Sequence, residues 1–298
     1  MGVNTLKDTT IGFVGLGLMG KPMSRNLHNA EARVVVHNRS RPAMDELAAE
    51  GMATADTPVA VAEQADIVVL MVSDTPAVEQ VLFGPEGLSN GLGSRHLVVD
   101  MGTTAASPTR GFAARVGETG AAYVDAPVSG GQLGAESGNL TIRAGGTEAA
   151  VDRARPIFEV LGQRVTHVGD VGAGQVAKAA NAVIVGLNIG AVAEALSLAR
   201  SAGVDPAKVR EALAGGFADS RILEVHGLRM VEGSFAPGGK VKTQHKDLTQ
   251  ALELAAEYGL ELPATRLNRE LYAKLIAAGG GDLDHSALIK VLGATKEG

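Results

Sequence analysis

A glycine-rich turn between two apolar segments constrains this chain more than any other feature. Gly15, Gly17 and Gly20 form a GxGxxG pattern that follows a strand predicted over Ile11–Val14 and opens a helix. A second apolar strand, predicted over Val34–His37, comes after that helix. In this context the pattern is typical of dinucleotide binding, because the glycines allow a tight turn, close approach of the backbone to a pyrophosphate and close helix packing. The phosphates would meet unpaired N–H groups at the positive end of the helix.

The end of the second strand indicates which dinucleotide is preferred. An Asp or Glu there would bind the ribose 2′-hydroxyl of NAD and repel the 2′-phosphate of NADP. The sequence has neutral Asn38, then Arg39 and Ser40, and a guanidinium offers a planar fork of donors that suits a phosphate. The alternative is a solvated arginine, but we predict a preference for NADP, with NAD as the second choice. The cofactor-binding residues predicted in these segments and after the strand Ile67–Val72 are Gly15, Leu16, Gly17, Leu18, Met19, Gly20, Asn38, Arg39, Ser40, Met71 and Val72.

Composition describes an ordinary soluble protein. The 298 residues are enough for two domains. A hydrophobic content of 45% and a net charge of −6 give no sign of binding to nucleic acid or to an anionic membrane. The chain has no Cys for disulfides or thiolate metal sites, and its seven His lack zinc-ligand spacing. We therefore predict no metal site, and catalysis by other side chains together with a bound cofactor.

Neither secretion nor a membrane span is predicted. Residues Met1–Thr10 are polar and lack the apolar core of a signal peptide. The most apolar run, Ala179–Ala193, has 15 residues and contains two Asn and two Gly, so it is predicted to be a buried core helix. We expect a cytoplasmic protein.

The first half of the chain alternates short strands with helices, which predicts a Rossmann-type, doubly wound and mostly parallel α/β sheet with a mixed extension. The second half has a helical pattern without a clear strand and begins with a long apolar helix over Gln175–Ala202. We predict a dinucleotide-binding domain over residues 1–169 and an all-helical domain for substrate binding and oligomerisation over residues 170–298. A helix that is apolar on most faces is often buried between subunits, so a homodimer or homotetramer is expected. The predicted strands are Ile11–Val14, Val34–His37, Ile67–Val72, Leu97–Asp100, Tyr123–Val124, Leu140–Ala144 and Val165–Val168.

A second glycine-rich segment, Asp125–Gly131, follows a predicted strand, where α/β sheets place their ligands. Ser129 supplies a hydroxyl, and Gly130 and Gly131 expose N–H groups that can converge on an anion. A substrate carboxylate would suit this site. The alternative is a glycine-rich loop without a ligand.

Lys178 lies in the first turns of the most apolar helix of the chain. A lysine beside a long uncharged run is costly unless it has a partner or a function. Desolvation favours its neutral amine, which would make it a tunable acid or base. Asn181 falls on the same helix face and could bind the same ligand. The alternative is a lysine whose ammonium reaches solvent from the start of the helix.

With these motifs assembled, the chain resembles the β-hydroxyacid dehydrogenase family over nearly its whole length. The resemblance runs from the glycine pattern at Gly15, through Asp125–Gly131 and Gly172–Asn181, to His245–Leu248. Four motifs in the right order are far more specific than any one of them.

The resemblance implies a role for each motif. The lysine that matches Lys178 is the family's general acid/base, and the segment that matches Ser129–Gly131 holds the substrate carboxylate. The threonine that matches Thr103 contacts nicotinamide and substrate. The lysine that matches Lys246 lies at the cofactor and active-site cleft.

Two further segments, Val183–Ile189 and Asp284–Leu288, are similar to the tartronate semialdehyde reductases of this family. The resemblance therefore implies an NADP-preferring oxidoreductase that interconverts a small β-hydroxyacid and its semialdehyde, with tartronate semialdehyde as the first candidate. The alternatives are an NAD-dependent 3-hydroxyisobutyrate dehydrogenase or a glyoxylate/succinic semialdehyde reductase. A catalytically silent nucleotide-binding module is the alternative from another class, and it would not need Lys178.

Three positions depart from the family pattern. Many members have an asparagine four residues after the lysine, where this chain has Ala182. A phenylalanine is often present where this chain has Gly239, and a serine often precedes the threonine, where this chain has Gly102. We expect these departures to change the shape of the substrate pocket and to leave the reaction class intact.

Overall fold

The computed structural model describes residues 6–292. They form two compact units, and the division between these units falls between Lys178 and Ala179. The domain boundary predicted from sequence, after residue 169, lies ahead of the long helix, whereas this division lies within it.

The first unit is built on one sheet, which has nine strands within residues 6–292. The strands are β1 (Thr10–Val14), β2 (Arg33–His37), β3 (Ala53–Thr54), β4 (Ile67–Leu70), β5 (Leu97–Asp100), β6 (Ala122–Asp125), β7 (Val128–Ser129), β8 (Leu140–Gly145) and β9 (Gly162–Gly169). Their order is β3-β2-β1-β4-β5-β6-β8-β7, and β9 pairs with β8. Strands β1 to β6 pair in parallel, and β8 runs antiparallel to β6 and β7. The predicted mostly parallel sheet with a mixed extension is confirmed.

Helices cover this sheet, and alternate residues of its strands enter two separate cores. Val34 and Val36 belong to one hydrophobic cluster, whereas Val35 between them belongs to the other. Strands buried on both faces explain why the sequence shows nearly continuous apolar runs. The helices are α1 (Gly20–Asn29), α2 (Arg41–Ala49), α3 (Pro58–Gln64), α4 (Thr75–Phe83), α5 (Ala106–Gly117), α6 (Gly131–Glu136) and α7 (Glu148–Leu161), with a 3-10 turn at Leu88–Asn90.

The strand order reverses between β1 and β4, which places a crevice at their carboxyl ends. The backbone N–H of Met71, just after β4, donates to the carbonyl of Val14 at the end of β1 (2.8 Å). Gly15 follows β1, so the glycine-rich turn lies at the point where open α/β sheets bind their ligands.

The second unit is helical and has its own core. It contains most of α8 (Ala173–Ser201), followed by α9 (Pro206–Leu213), α10 (Arg221–Glu232), α11 (Val241–Glu257) and α12 (Pro263–Leu275), then a π-helical turn at Ile276–Gly280 and a 3-10 helix at His285–Val291. Ile189 and Leu196 of α8 pack into one cluster with Leu248 and Tyr272, all fully buried. The predicted helical C-terminal region is confirmed.

Helix α8 is longer than the apolar run that marked it. With 29 residues and a mean hydropathy of 1.9 in its most apolar window, it is long and apolar enough to cross a membrane, so the sequence argument that it is too short was wrong. Of the residues in this most apolar part of the helix, 44% are buried within the protein. The helix supplies core residues such as Ile189, Ala193 and Leu196, and we interpret it as a core helix.

Candidate active site

Each of the three glycines of the turn has a different structural role. Gly15 has a φ of +100°, and a Cβ there would collide with the carbonyl group of Met71. A Cβ on Gly20 would overlap the carbonyl oxygen of Gly15, so helix α1 packs directly on the turn. Gly17 is exposed, and a Cβ there would meet no atom within 4 Å. Gly17 therefore leaves the space in front of the turn open.

The start of α1 can receive a phosphate. Its N-cap residue, Met19, forms no side-chain cap hydrogen bond, so the first N–H groups of the helix have no side-chain acceptor of that kind. Leu18, next to Gly17, is also exposed. An open backbone at the positive end of a helix fits the pyrophosphate of a dinucleotide.

Asn38 connects the end of β2 to the glycine turn. Its side-chain Oδ1 accepts from the backbone N–H of Leu16 (3.0 Å), and its Nδ2 donates to Oγ of Ser40 (2.8 Å). The guanidinium of Arg41 is paired with Asp45 and Asp56. Arg39, which follows Asn38 in the sequence, is exposed. The amide of Asn38 thus fixes the turn, and the proposed role of Arg39 in binding a ribose phosphate stays a prediction.

We expect Gly20→Ala and Gly17→Ala to have separable effects. The added methyl of Gly20→Ala must displace the Gly15 carbonyl, so the free energy of unfolding should fall by about 1–3 kcal/mol. Gly17→Ala places its methyl in open space, so its Tm should stay within about a degree of the wild type while dinucleotide affinity falls. Thermal melts and fluorescence titration with NADPH measure both. Equal losses of Tm in the two variants would contradict this account of the turn.

Lys178 of α8 meets Ser129 at the end of β7, although 49 residues separate them in the sequence. The Nζ of Lys178 donates to the carbonyl of Val128 (3.0 Å) and lies 3.4 Å from the Oγ of Ser129. Gly130 and Gly131 have φ values of +140° and +60°, which favour glycine. Lys178 and Ser129 are both half-buried. The predicted acid/base lysine and the predicted carboxylate loop therefore form one cluster.

Asp125 fixes the helix that carries Lys178. This buried side chain accepts from the backbone N–H of Gly172 (2.7 Å) and of Gln175 (2.8 Å). It therefore caps the start of α8 with a carboxylate, which the helix dipole favours. Burial raises the pKa of Asp125 to about 7, although these two N–H groups oppose the shift. No role for Asp125 was predicted from the sequence.

Gln175 joins the same helix to the loop after β5. Its Oε1 accepts from the backbone N–H of Thr104 (3.1 Å), and its Nε2 donates to the carbonyl of Gly102 (2.9 Å). Thr103, the predicted nicotinamide contact, lies between these two residues and is half-buried. Gln175 itself is 2% exposed. The loop with Thr103 and the helix with Lys178 are thus held in one hydrogen-bonded assembly that sequence analysis missed.

Two predicted site residues, Asn181 and Lys246, belong to the second unit. Asn181 lies three residues after Lys178 on α8 and is half-buried. Lys246 is also half-buried, and its Nζ lies 3.3 Å from Oδ1 of Asp247. Their roles in ligand binding stay predictions.

The three departures from the family pattern have local structural counterparts. A Cβ on Gly102 would lie 3.0 Å from the carbonyl oxygen of Val72 and 3.2 Å from Oδ1 of Asp100, so a serine would require neighbours to shift. A Cβ on Gly239 would lie 3.2 Å from Cε1 of His285, so an imidazole already occupies the space next to this glycine. Ala182 is 3% exposed.

One group of potential metal ligands, His226, Asp284 and His285, converges within the described residues. The carboxylate of Asp284 is already engaged, because it accepts from the N–H groups of Gly238 (2.9 Å) and Ser286 (3.1 Å) and pairs with Arg229 (3.0 Å). Although burial raises it, hydrogen bonds from His226 and Ser286 hold the pKa of Asp284 well below its usual range. We interpret the cluster as a hydrogen-bonded centre of the second unit.

Comparison with known proteins decides the family. Residues 10–169 match the family model described as the NAD binding domain of 6-phosphogluconate dehydrogenase, and residues 172–292 match the one for NAD binding in NADP-dependent 3-hydroxyisobutyrate dehydrogenase. The chain is 48% identical to 2-hydroxy-3-oxopropionate reductase of Escherichia coli (strain K12), over 95% of this chain and 96% of the relative. The chain belongs to the 3-hydroxyisobutyrate dehydrogenase family. It is an NAD(P)-dependent oxidoreductase of the β-hydroxyacid dehydrogenase type.

Two solved structures have the same fold as this chain. The Mycobacterium tuberculosis 3-hydroxyisobutyrate dehydrogenase with L-serine superposes with a TM-score of 0.89 at 31% identity, over 96% of this chain and 99% of that one. Psf3 in complex with NADP+ and 2-OPP superposes with a TM-score of 0.84 at 28% identity, over 95% and 99% of the two chains. The fold class predicted from sequence is confirmed, and so is the predicted dehydrogenase family.

Proposed function

We propose that this dehydrogenase is an NADP-preferring reductase of small semialdehyde acids, with tartronate semialdehyde as its substrate and Lys178 as its general acid/base. The observation that carries the proposal is the position of the Lys178 ammonium, which donates to the Val128 carbonyl and lies beside the Ser129 hydroxyl. The similarity to the Escherichia coli 2-hydroxy-3-oxopropionate reductase supports this choice of substrate.

Lys178 supplies the proton chemistry. In the reductive direction its ammonium donates a proton to the oxygen of the former carbonyl, and in the oxidative direction its amine accepts the hydroxyl proton. Its positive charge also stabilises the alkoxide before the proton moves. The bound nicotinamide dinucleotide supplies the redox chemistry.

The Ser129–Gly131 segment orients the substrate. Its hydroxyl and N–H groups hold the carboxylate end, so that the reacting carbon stays in reach of Lys178. Asn181, one helical turn beyond the lysine, is proposed to bind the same substrate. Lys246 and Thr103 are proposed to contact the nicotinamide side of the cofactor.

Arg39 and Ser40 support the preference for NADP, because they are exposed at the end of β2, where a carboxylate would select NAD. We expect Arg39→Ala to raise the KM for NADPH by about 10–100-fold, the effect of losing charge-assisted hydrogen bonds to a phosphate. The KM for NADH should change little. Arg41→Ala is the matched control, since that guanidinium is already paired with Asp45 and Asp56. An equal loss for both cofactors in Arg39→Ala would contradict the assignment.

A substrate panel tests the proposed reaction. The purified enzyme is assayed with glyoxylate, tartronate semialdehyde, methylmalonate semialdehyde and succinic semialdehyde, each with NADPH and with NADH. The proposal expects the highest kcat/KM for tartronate semialdehyde with NADPH. A maximum for methylmalonate semialdehyde with NADH would favour a 3-hydroxyisobutyrate dehydrogenase instead. Absence of turnover with all four would favour the silent module.

The proposal includes a homodimer or homotetramer. Ile184 and Leu198 of α8 are 62% and 71% exposed in the single chain, which supports an apolar surface that a second copy would cover. Light scattering coupled to size-exclusion chromatography gives the mass in solution. A monomer at micromolar concentration would contradict this part of the proposal.

A further inference from the structure

We propose that Arg143 is a second cationic ligand of the substrate carboxylate and selects acid substrates over neutral aldehydes. The inference rests on the proposed function of the Lys178–Ser129 cluster and adds a residue to it. Arg143 stands in none of the motifs that mark the family resemblance.

The pleat of β8 turns Arg143 away from the core. Leu140 and Ile142 of this strand are fully buried in the hydrophobic cluster of the first unit. Thr141 and Arg143 alternate with them and are half-buried, as side chains on the opposite face of a strand should be. The antiparallel pairing of β8 with β7 then sets Thr141 opposite Ser129. The backbone N–H of Arg143 also donates to the carbonyl of Pro127 (3.2 Å).

The guanidinium of Arg143 meets the cluster at the Ser129 hydroxyl. Its Nη1 lies 3.0 Å from the Oγ of Ser129, and the Nζ of Lys178 lies 3.4 Å from the same oxygen. Two cationic groups therefore converge on one hydroxyl. The positive charges of Arg143 and Lys178 repel each other, and an anion bound beside both groups offsets that repulsion. The arrangement is complementary to a carboxylate.

The chemistry of arginine defines what it contributes there. A guanidinium presents five N–H donors in a planar fork, and its Nη1 donates to the Oγ of Ser129. The fork matches a carboxylate with two parallel hydrogen bonds. Desolvation lowers the pKa of Arg143, and a bound anion would offset that cost of burial. Arginine stays protonated in proteins, so Arg143 binds and Lys178 exchanges the proton.

The test compares Arg143→Gln and Arg143→Lys with the wild-type enzyme. Arg164→Gln is the matched control, because Arg164 is exposed on β9 and pairs in register with Thr141. For each variant, kcat and KM are measured with NADPH for tartronate semialdehyde and for the neutral aldehyde glycolaldehyde. Calorimetry measures the Kd of tartronate for the enzyme–NADP+ complex, and a thermal melt confirms folding.

We expect Arg143→Gln to raise the KM for tartronate semialdehyde by about 10–100-fold, the effect of losing hydrogen bonds to a charged group, with a much smaller change in kcat. The kcat/KM for glycolaldehyde should stay near that of the wild type. Arg143→Lys keeps the charge but loses the planar fork of donors. Its KM for tartronate semialdehyde should therefore lie between the values of the wild type and of Arg143→Gln. Arg164→Gln should resemble the wild type.

Two results would overturn the proposal. An unchanged KM for the acid substrate would remove Arg143 from the binding site. An equal loss of kcat/KM for the acid and the neutral aldehyde would show that Arg143 only supports the fold around Ser129. Failure of the proposed reaction is separable, because tartronate affinity is measured without turnover. The wild-type enzyme could bind tartronate more tightly than Arg143→Gln and yet reduce no semialdehyde. That result would refute the proposed reaction and support Arg143 as a ligand of the carboxylate.

Discussion

Replacing Lys178 with alanine is expected to lower kcat for semialdehyde reduction by about 10²–10⁴-fold, the usual contribution of a positioned general acid. The ammonium lies beside the Ser129 hydroxyl, and α8 is fixed at its start by Asp125. Because the side chain is half-buried and the helix start does not depend on it, the fold should survive. Steady-state kinetics and an NADPH fluorescence titration measure turnover and cofactor affinity separately.

Lys178→Arg is the control that separates charge from proton transfer. The guanidinium keeps the positive charge but does not release its proton in proteins. We therefore expect kcat to remain far below that of the wild type, while the affinity for carboxylates is better retained than in Lys178→Ala. Near-normal kcat in Lys178→Ala would eliminate the acid/base role. Near-normal kcat in Lys178→Arg would reduce that role to electrostatics.

Removing the side chain of Gln175 should have the second large effect. Gln175→Ala leaves the N–H of Thr104 and the carbonyl of Gly102 without the partners that now bind them. An unsatisfied buried polar group costs about 1–3 kcal/mol, and the lost side chain also leaves a cavity. We expect the free energy of unfolding to fall by about 2–5 kcal/mol.

The same substitution should also affect catalysis, because Gln175 joins the loop that carries Thr103 to the helix that carries Lys178. We expect a higher KM for NADPH and a lower kcat in Gln175→Ala at a temperature where the variant is folded. Gln163→Ala on the exposed face of β9 is the matched control and should leave the KM for NADPH and kcat unchanged. Chemical denaturation and steady-state kinetics provide the two readouts. A Gln175→Ala enzyme with normal unfolding free energy would contradict the hydrogen-bond account.

The parts of the site that sequence could predict are those fixed by local backbone geometry. Gly15 needs a positive φ, and the space at Gly20 excludes a Cβ, so these demands leave a pattern in six consecutive residues. The sheet was predictable for a similar reason, since strands buried on both faces are short apolar runs bounded by turns. The position of Lys178 near Ser129 followed from the family resemblance and not from spacing.

The parts that sequence missed depend on long-range pairing. Arg143 has the periodicity of any polar residue in a half-buried strand, and only the register of β8 with β7 brings it to Ser129. Gln175 is one polar residue near a helix start, and its partners lie more than 70 residues earlier. The start of a helix leaves little signal in the sequence where no capping side chain marks it. Helix α11 begins at Val241 without a side-chain cap, so no capping residue marks its start in the sequence.

Lys178 is proposed to provide the proton for semialdehyde reduction. The most direct test is a single-turnover reaction, in which enzyme saturated with NADPH is mixed with tartronate semialdehyde and the loss of NADPH absorbance is followed by stopped flow. This measurement separates the chemical step from product release. We expect Lys178→Ala, with a full complement of bound NADPH, to lose that absorbance at least about 100-fold more slowly than the wild type. Equal rates in the two enzymes would contradict this role of Lys178.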